Sequence, residues 1–288
     1  MDQWQAGGQL VEVGGQRVFA HAGAGGAPAI LFLHGFPSSC YDWRHLLLLL
    51  GDNEVACFDF LGFGLSDKPR DHVYSLFDQA DLAEAMAARL DSRHVMLVAH
   101  DMGTSVATEL LARDIEGRLP FRLSSVLLLN GSMVIERASL TASQKLLRSP
   151  VGPLVARLSN ERSFKSGFGR LFSADHPLTP EEGADQWALL AYGGGNRILH
   201  KLTYYLRERV TYAERWHGAL RDWQGELELA WGMRDPVSTV AVLDAVRELR
   251  PAAPVTRFDE LGHYPQLESP EAVASIVSRL AGGQPSSA

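Results

Sequence analysis

The 288-residue chain has only two cysteines, Cys40 and Cys57, too few for a disulfide framework and without the spacing of a metal site. Both are expected as reduced, partly buried thiols. Its longest purely aliphatic run, Leu46 to Leu50, falls far short of the ~20 residues that cross a bilayer. Basic runs are missing too. The 27 Lys and Arg stand against 34 Asp and Glu, a formal charge of −7, which lacks the electrostatic footprint of a nucleic-acid binder. The opening Met1-Asp2-Gln3-Trp4 has neither a basic patch nor an apolar stretch, so no secretory signal and a cytoplasmic location are expected. Zincin and P-loop patterns are absent, and Gly23-Ala24-Gly25-Gly26 precedes a strand instead of joining strand to helix. No metal or cofactor is therefore expected. What is present is ordinary globular material, 46% hydrophobic and 21% charged residues, enough for one large domain or for a core carrying an insertion. Only the tail, Gly282 to Ala288, reads as mobile.

Continuous apolar runs at Ala29–Leu33, Val55–Phe58, Val95–Ala99, Val126–Leu129 and Leu227–Trp231 look like strands buried on both faces, with Val255–Phe258 a weaker case. Gln9–Val13 and Arg17–His21 flank Gly14-Gly15, a hairpin signal. Helical patterns at Leu76–Leu90, Thr104–Arg113, Val240–Leu249 and Pro270–Leu280 alternate with the runs, which predicts a mostly parallel sheet of eight strands covered on both faces. From about Gly131 the alternation stops. The chain turns helical, punctuated at Pro150, Gly152-Pro153, Pro177, Pro180 and Gly193–Gly195, until strand order resumes at Leu227. The expected organisation is an α/β core (1–130 and 225–288) interrupted by a helical lid (131–224).

The segment Val95 to Thr104 runs a buried strand into Asp101 and opens a helix at Gly103. That is the strand–turn–helix setting of a nucleophile elbow, with Asp where Ser is commonest. Ala99 and Gly103 are small because the turn is tight. The alternative is that Asp101 only caps the helix. His34-Gly35-Phe36-Pro37 follows the third strand, where such an architecture takes one N–H of an oxyanion hole, the other coming from the residue after the nucleophile. The candidate donors are the N–H groups of Phe36 and Met102. The acid and the histidine should follow in that order. Asp235, on the loop after Leu227–Trp231, and His263, on the loop after Val255–Phe258, meet that order. The place after the sixth strand holds Asn130, which cannot ionise, and Glu136 is a remoter choice for the acid.

Together these segments resemble the α/β-hydrolase superfamily over nearly the whole chain. Asp59 to Pro69 is similar to the loop after the fourth strand in the epoxide-hydrolase and haloalkane-dehalogenase branch, as is the Asp at the elbow. A closer likeness, to the mesoderm-specific transcript proteins, rests on His100-Asp101 with Glu109-Leu110-Leu111, on Leu128–Gly131, on Arg215–Leu220 and on His263–Glu268. The resemblance implies an α/β-hydrolase fold, Asp101 as nucleophile, His263 as base and Asp235 as the acid that orients it. The chain departs from the branch in two places. Met102 and Phe36 stand where dehalogenases carry side-chain halide donors, and Val134–Ala191 contains no tyrosine, so one of the two lid tyrosines usual in epoxide hydrolases is missing. Tyr204, Tyr205 and Tyr212 are candidates for the other, with Tyr205 and Tyr212 two turns apart on one helical face. Arg207, Arg209 and Arg215 with Glu208 and Glu214 read as a solvated face.

A carboxylate is ionised at neutral pH and attacks an sp³ carbon without a base, leaving an ester for a His-activated water to hydrolyse. Carbon–halogen cleavage needs anion donors, whereas opening an epoxide needs a proton for the alkoxide. The expected activity is therefore epoxide hydrolysis on a small apolar substrate with water. Dehalogenation, a luciferase-like oxygenase reaction on the same triad, and a non-catalytic ligand-binding fold are the alternatives.

Overall fold

A computed structural model describes residues 1–51 and 53–282; all of the tail beyond Gly282 lies outside the described residues. Eight strands form one sheet: β1 (Gln9–Val13), β2 (Gln16–Gly23), β3 (Gly26–Leu33), β4 (Asn53–Phe58), β5 (His94–His100), β6 (Arg122–Leu129), β7 (Glu226–Gly232) and β8 (Val255–Phe258). Their order is β1-β2-β4-β3-β5-β6-β7-β8. Gly14 and Gly15 both have positive φ, at 57° and 77°, the backbone a two-residue hairpin requires, so β2 returns antiparallel along β1 and then along β4. Every other neighbouring pair is parallel, because a helical crossover returns the chain to the same end each time. Ala29–Leu33, Val95–Ala99 and Val126–Leu129 are wholly inaccessible to solvent, as expected of strands covered on both faces.

The helices Val240–Leu249 and Pro270–Leu280 have the expected bounds. Two others shift at their ends. The helix from Leu76 stops at Ala87 because the N–H groups of Arg89 and Leu90 bond three residues back and tighten the last turn. The helix expected from Thr104 begins at Met102, directly after the Asp101 turn. A short first helix, Asp2–Gly7, has no periodic signal; its Trp4 stacks on His21 with ring centres 3.6 Å apart.

Between β6 and β7 the described chain forms helices only. Gly and Pro mark the breaks, with Pro153 and Pro180 in first turns, where a missing N–H costs nothing, and positive φ at Gly193 and Gly194. Thr141 with Gln144, and Asn160 with Ser163, close capping boxes. Two buried carboxylates fasten this insertion to the core. Glu208 accepts from the Ser75 hydroxyl and the Leu76 N–H, both at 2.6 Å, at the start of the helix Leu76–Ala87. Glu109, on the helix Met102–Ile115, accepts from Arg215 Nε at 2.8 Å and from the Trp216 indole N–H at 3.0 Å. Among the described residues no helix is long and apolar enough to cross a membrane.

Candidate active site

Strand β5 ends at His100 and the helix begins at Met102, so Asp101 alone turns the chain, with φ 43° and ψ −108°. For a residue with a Cβ that conformation is strained. Close packing holds it in place. A Cβ at Gly103 would sit 2.4 Å from the Leu33 carbonyl oxygen, so only glycine lets the helix approach the end of β3. The Asp101 side chain makes no capping bond to its helix. Instead Oδ2 accepts the Phe36 N–H at 3.0 Å, from the loop after β3, where the Phe36-Pro37 bond is cis. Met102 follows with one of the first-turn N–H groups that no helical carbonyl takes up.

On the far side, Asp235 lies on the loop after β7 and is saturated. Its Oδ1 accepts the N–H groups of Val237 at 2.7 Å and Ser238 at 3.0 Å; its Oδ2 accepts His263 Nδ1 at 2.6 Å and the Asn130 amide at 2.7 Å. Asn130 sits at the end of β6 with φ 40°, and its side-chain Oδ1 accepts the Gly232 N–H at 2.9 Å. It occupies the position after the sixth strand without being an acid, and serves as a donor to one. Glu136 is exposed. Burial alone would lower the pKa of His263, but the charge and hydrogen bond of Asp235, with Asp101 beyond, carry it net above its ordinary value. With Nδ1–H committed to Asp235, the free nitrogen of the ring is Nε2. His100, next to the elbow, donates from Nε2 to the His263 carbonyl at 2.7 Å; burial and the neighbouring His263 keep its own pKa far below normal, so it stays neutral.

Asp101 and His263 share a cavity of about 520 Å³. Its walls come largely from the insertion and are mostly apolar, including Leu147, Phe164, Phe168, Trp187 and Leu190, with Gln144 and Ser163 among the polar exceptions. This is the general form of a small-molecule site, an apolar hollow with a few convergent polar groups.

Residues 28–270 match the alpha/beta hydrolase fold family. The chain belongs to that family. LipZ of Mycobacterium tuberculosis, a protein named as a hydrolase, is 52% identical over 278 residues, covering 96% of both chains. The mesoderm-specific transcript homolog protein of Bos taurus is 36% identical over 284 residues, covering 94% of this chain and 84% of its own. Among solved structures, the haloalkane dehalogenase DbeA from Bradyrhizobium elkani superposes with a TM-score of 0.79 at 24% identity, over 96% of this chain and 97% of its own, a likeness of fold.

Within this α/β-hydrolase the three tyrosines part company. Tyr205 is buried, its hydroxyl takes a 3.2 Å hydrogen bond from Gln144 Nε2, and its ring packs 5.6 Å from that of Phe36. Burial and then the nearby Asp101 charge raise its pKa, so the phenol stays protonated. Tyr212 does not share its face. The helix Tyr205–Thr211 breaks at Tyr212, which is 39% exposed and packs its ring on Phe77 and Trp216. None of the three is a wall residue of the cavity; Tyr205 lies behind it, bonded to the wall residue Gln144.

The expectation of a solvated charged face is overturned for part of its run. Arg207 and Glu214 are exposed, but Glu208 is buried, Arg215 is tied to Glu109, and Arg209 is only 1% exposed. Arg209 donates from Nη2 to the Asp101 carbonyl at 2.9 Å and from Nε to Ser105 Oγ at 2.8 Å, and lies 3.7 Å from Asp101 Oδ1. Arg209 and Asn130 are the site's neighbours that a reading of residue types passes over. The four-residue offset of Arg209 from Tyr205, which puts both on one helical face, is the signal that could have found it. The two cysteines are free and fully buried.

Proposed function

We propose that this α/β-hydrolase is a hydrolytic enzyme that opens a small apolar electrophile with Asp101, an epoxide being the best-matched class. The observation that carries the reading is the asymmetry of the Asp101 carboxylate: Oδ2 is held by the Phe36 N–H, while Asp101 lines the same cavity as His263, whose Nδ1 is tied to Asp235. Residues 131–224 act as the lid that makes that cavity apolar. Asp101 Oδ1 attacks a ring carbon, the carbon–oxygen bond of the epoxide breaks, and the alkoxide takes a proton. Tyr205 is the candidate donor among the three tyrosines: it is not a wall residue, but its protonated phenol is bonded to the wall residue Gln144 and feels the Asp101 charge. His263 Nε2 then removes a proton from water, and the hydroxide adds to the ester carbonyl carbon. The oxyanion is held by the N–H groups of Phe36 and Met102. On collapse the leaving alkoxide takes the proton held by His263, and the proton left on the Asp101 carboxyl returns to the donor phenolate. A diol is released, the carboxylate is regenerated, and the net change is epoxide plus water to diol. A haloalkane is the second class, favoured by Trp187, an indole donor on the cavity wall.

Replacement of His263 by Gln should let the ester form and stall its hydrolysis. Intact-mass measurement after incubation with panels of epoxides and haloalkanes is expected to show an adduct that retains the whole epoxide, mapped to the Asp101 peptide. Adducts from haloalkanes alone would transfer the assignment to dehalogenation. No adduct from any compound would remove the covalent mechanism and favour the oxygenase or ligand-binding readings.

A further inference from the structure

The chain as a whole carries −7, yet residues 142–170 of the insertion hold six cations (Lys145, Arg148, Arg157, Arg162, Lys165, Arg170) against the single acid Glu161. Lys165 pairs with Glu161 at 3.2 Å; the other five are exposed and form no ion pair among the described residues. The same stretch exposes four aliphatic side chains: Leu146 at 49%, Val151 at 51%, Leu154 at 56% and Leu158 at 67%. Val151, Leu154 and Leu158 fall at the three- and four-residue steps of one face on and beside the helix Gly152–Leu158. Leu146 and Leu158 also line the cavity over Asp101, so the exposed apolar patch runs into the cavity wall.

From this juxtaposition we infer that the helices Ala142–Leu147 and Gly152–Leu158 form a docking face for an anionic lipid surface, with the cavity mouth opening onto it. Clustered cations around exposed aliphatic residues are what an interfacial membrane contact uses: the apolar side chains enter the acyl boundary while Lys and Arg meet the lipid phosphates. A second copy fits less well, because a two-fold contact would set a patch of five unpaired cations against itself. Single-stranded nucleic acid would call for exposed aromatic platforms, and the exposed apolar groups here are aliphatic. Docking itself is independent of the proposed catalysis. Its consequence for substrate does rest on that reading: an electrophile dissolved in the lipid would pass from membrane to Asp101 without crossing water.

The test is co-sedimentation of the full chain with phosphatidylcholine vesicles, with and without phosphatidylglycerol, which reads binding without turnover. The protein is expected to sediment with the anionic vesicles only, and to be released as salt rises. Arg157→Glu and Leu154→Glu, neither in the cavity wall, should each weaken partitioning roughly fivefold or more. Leu48→Glu, at an 81% exposed leucine outside the insertion, should leave it unchanged. Circular dichroism on each variant separates misfolding from lost docking. Absence of binding, equal binding to neutral vesicles, or full binding by Leu154→Glu would overturn the inference. So would a concentration-dependent dimer that Leu154→Glu dissolves in the absence of vesicle binding, which would make the patch a contact between copies.

Discussion

The two sides of the cavity treat their carboxylates differently. On the side of β6 and β7, Asp235 receives four donors, two from its own loop, one from Asn130 and one from His263. On the side where β5 meets the insertion, the Asp101 side chain receives the Phe36 N–H on Oδ2 and has only the Arg209 guanidinium, at 3.7 Å, near Oδ1. A saturated carboxylate has no lone pair to spare and can only orient its histidine; an under-committed one beside a cavity can attack. Asp42, also buried, is intermediate. It accepts from the Ser38 hydroxyl and, at 2.7 Å, from Gln186 in the helical insertion between β6 and β7, and burial pushes its pKa up to about 7. Two residues of the same type acquire opposite chemistry from the donors around them.

The comparison breaks most sharply at Asp235. In Asp235→Asn one acceptor oxygen would remain for three N–H groups and the His263 ring, and kcat is expected to fall about 10⁴-fold as hydrolysis of the ester stalls. The pH profile gives a second readout. The raised pKa of His263 puts the acid limb of the native enzyme above pH 6.5, since the base must be neutral to act. Without the Asp235 charge, burial dominates and the limb should move below that value.

Arg209 is the next largest. Arg209→Ala removes the donors to the Asp101 carbonyl and to Ser105 Oγ and should cost about 3 kcal/mol of stability, read by denaturant unfolding. If Arg209 also positions the Asp101 carboxylate, single-turnover formation of the proposed ester slows, and Arg209→Lys, which keeps the charge without the planar fork, restores stability more than rate. Equal restoration of both would reduce Arg209 to a structural tie.

The smallest effect is expected at Asp42. A carboxyl whose pKa rises on folding binds its proton more tightly in the native state, so its contribution to stability is complete below the unfolded value near 3.9 and is lost as pH rises through about 7. Asp42→Asn should therefore flatten the fall in melting temperature between pH 4 and 8, with a gain on the order of 1 kcal/mol above pH 7. A gain of the same size at pH 4 would point to packing instead of charge.

The sheet was legible because doubly covered strands must be apolar at every position, and because Gly14-Gly15 permits only a tight antiparallel return. The elbow was legible for a related reason: a helix that packs 2.4 Å from where a Cβ would clash leaves glycine at 103, and glycine at that offset from Asp101 is visible in the sequence. Arg209 was not. In a run of alternating charges residue type does not distinguish the arginine that faces Ser105 and the Asp101 carbonyl from Arg207, which faces water; the acceptors lie about a hundred residues away, and only the four-residue offset from Tyr205 sets Arg209 apart. The split between Tyr205 and Tyr212 was hidden likewise, because the helix break at Tyr212 involves neither Gly nor Pro. At Asn130 the residue type excludes an acid but does not reveal a donor to one, because its partner Asp235 lies over a hundred residues away.

Asp101 and Asn130 are the two non-glycine residues of positive φ among the described residues, at the ends of the adjacent strands β5 and β6. The backbone at 101 is fixed by Gly103 and by neighbouring carbonyls and N–H groups, with the Asp101 side chain making no capping bond to its helix. The turn is thus a socket whose geometry outlives its occupant. On the proposed mechanism, Asp101→Ser would set a hydroxyl in the same place before the same histidine and exchange displacement at saturated carbon for acyl transfer. On such a frame the side chain at the turn and the apolar wall above it are set by separate residues, so the two can change independently.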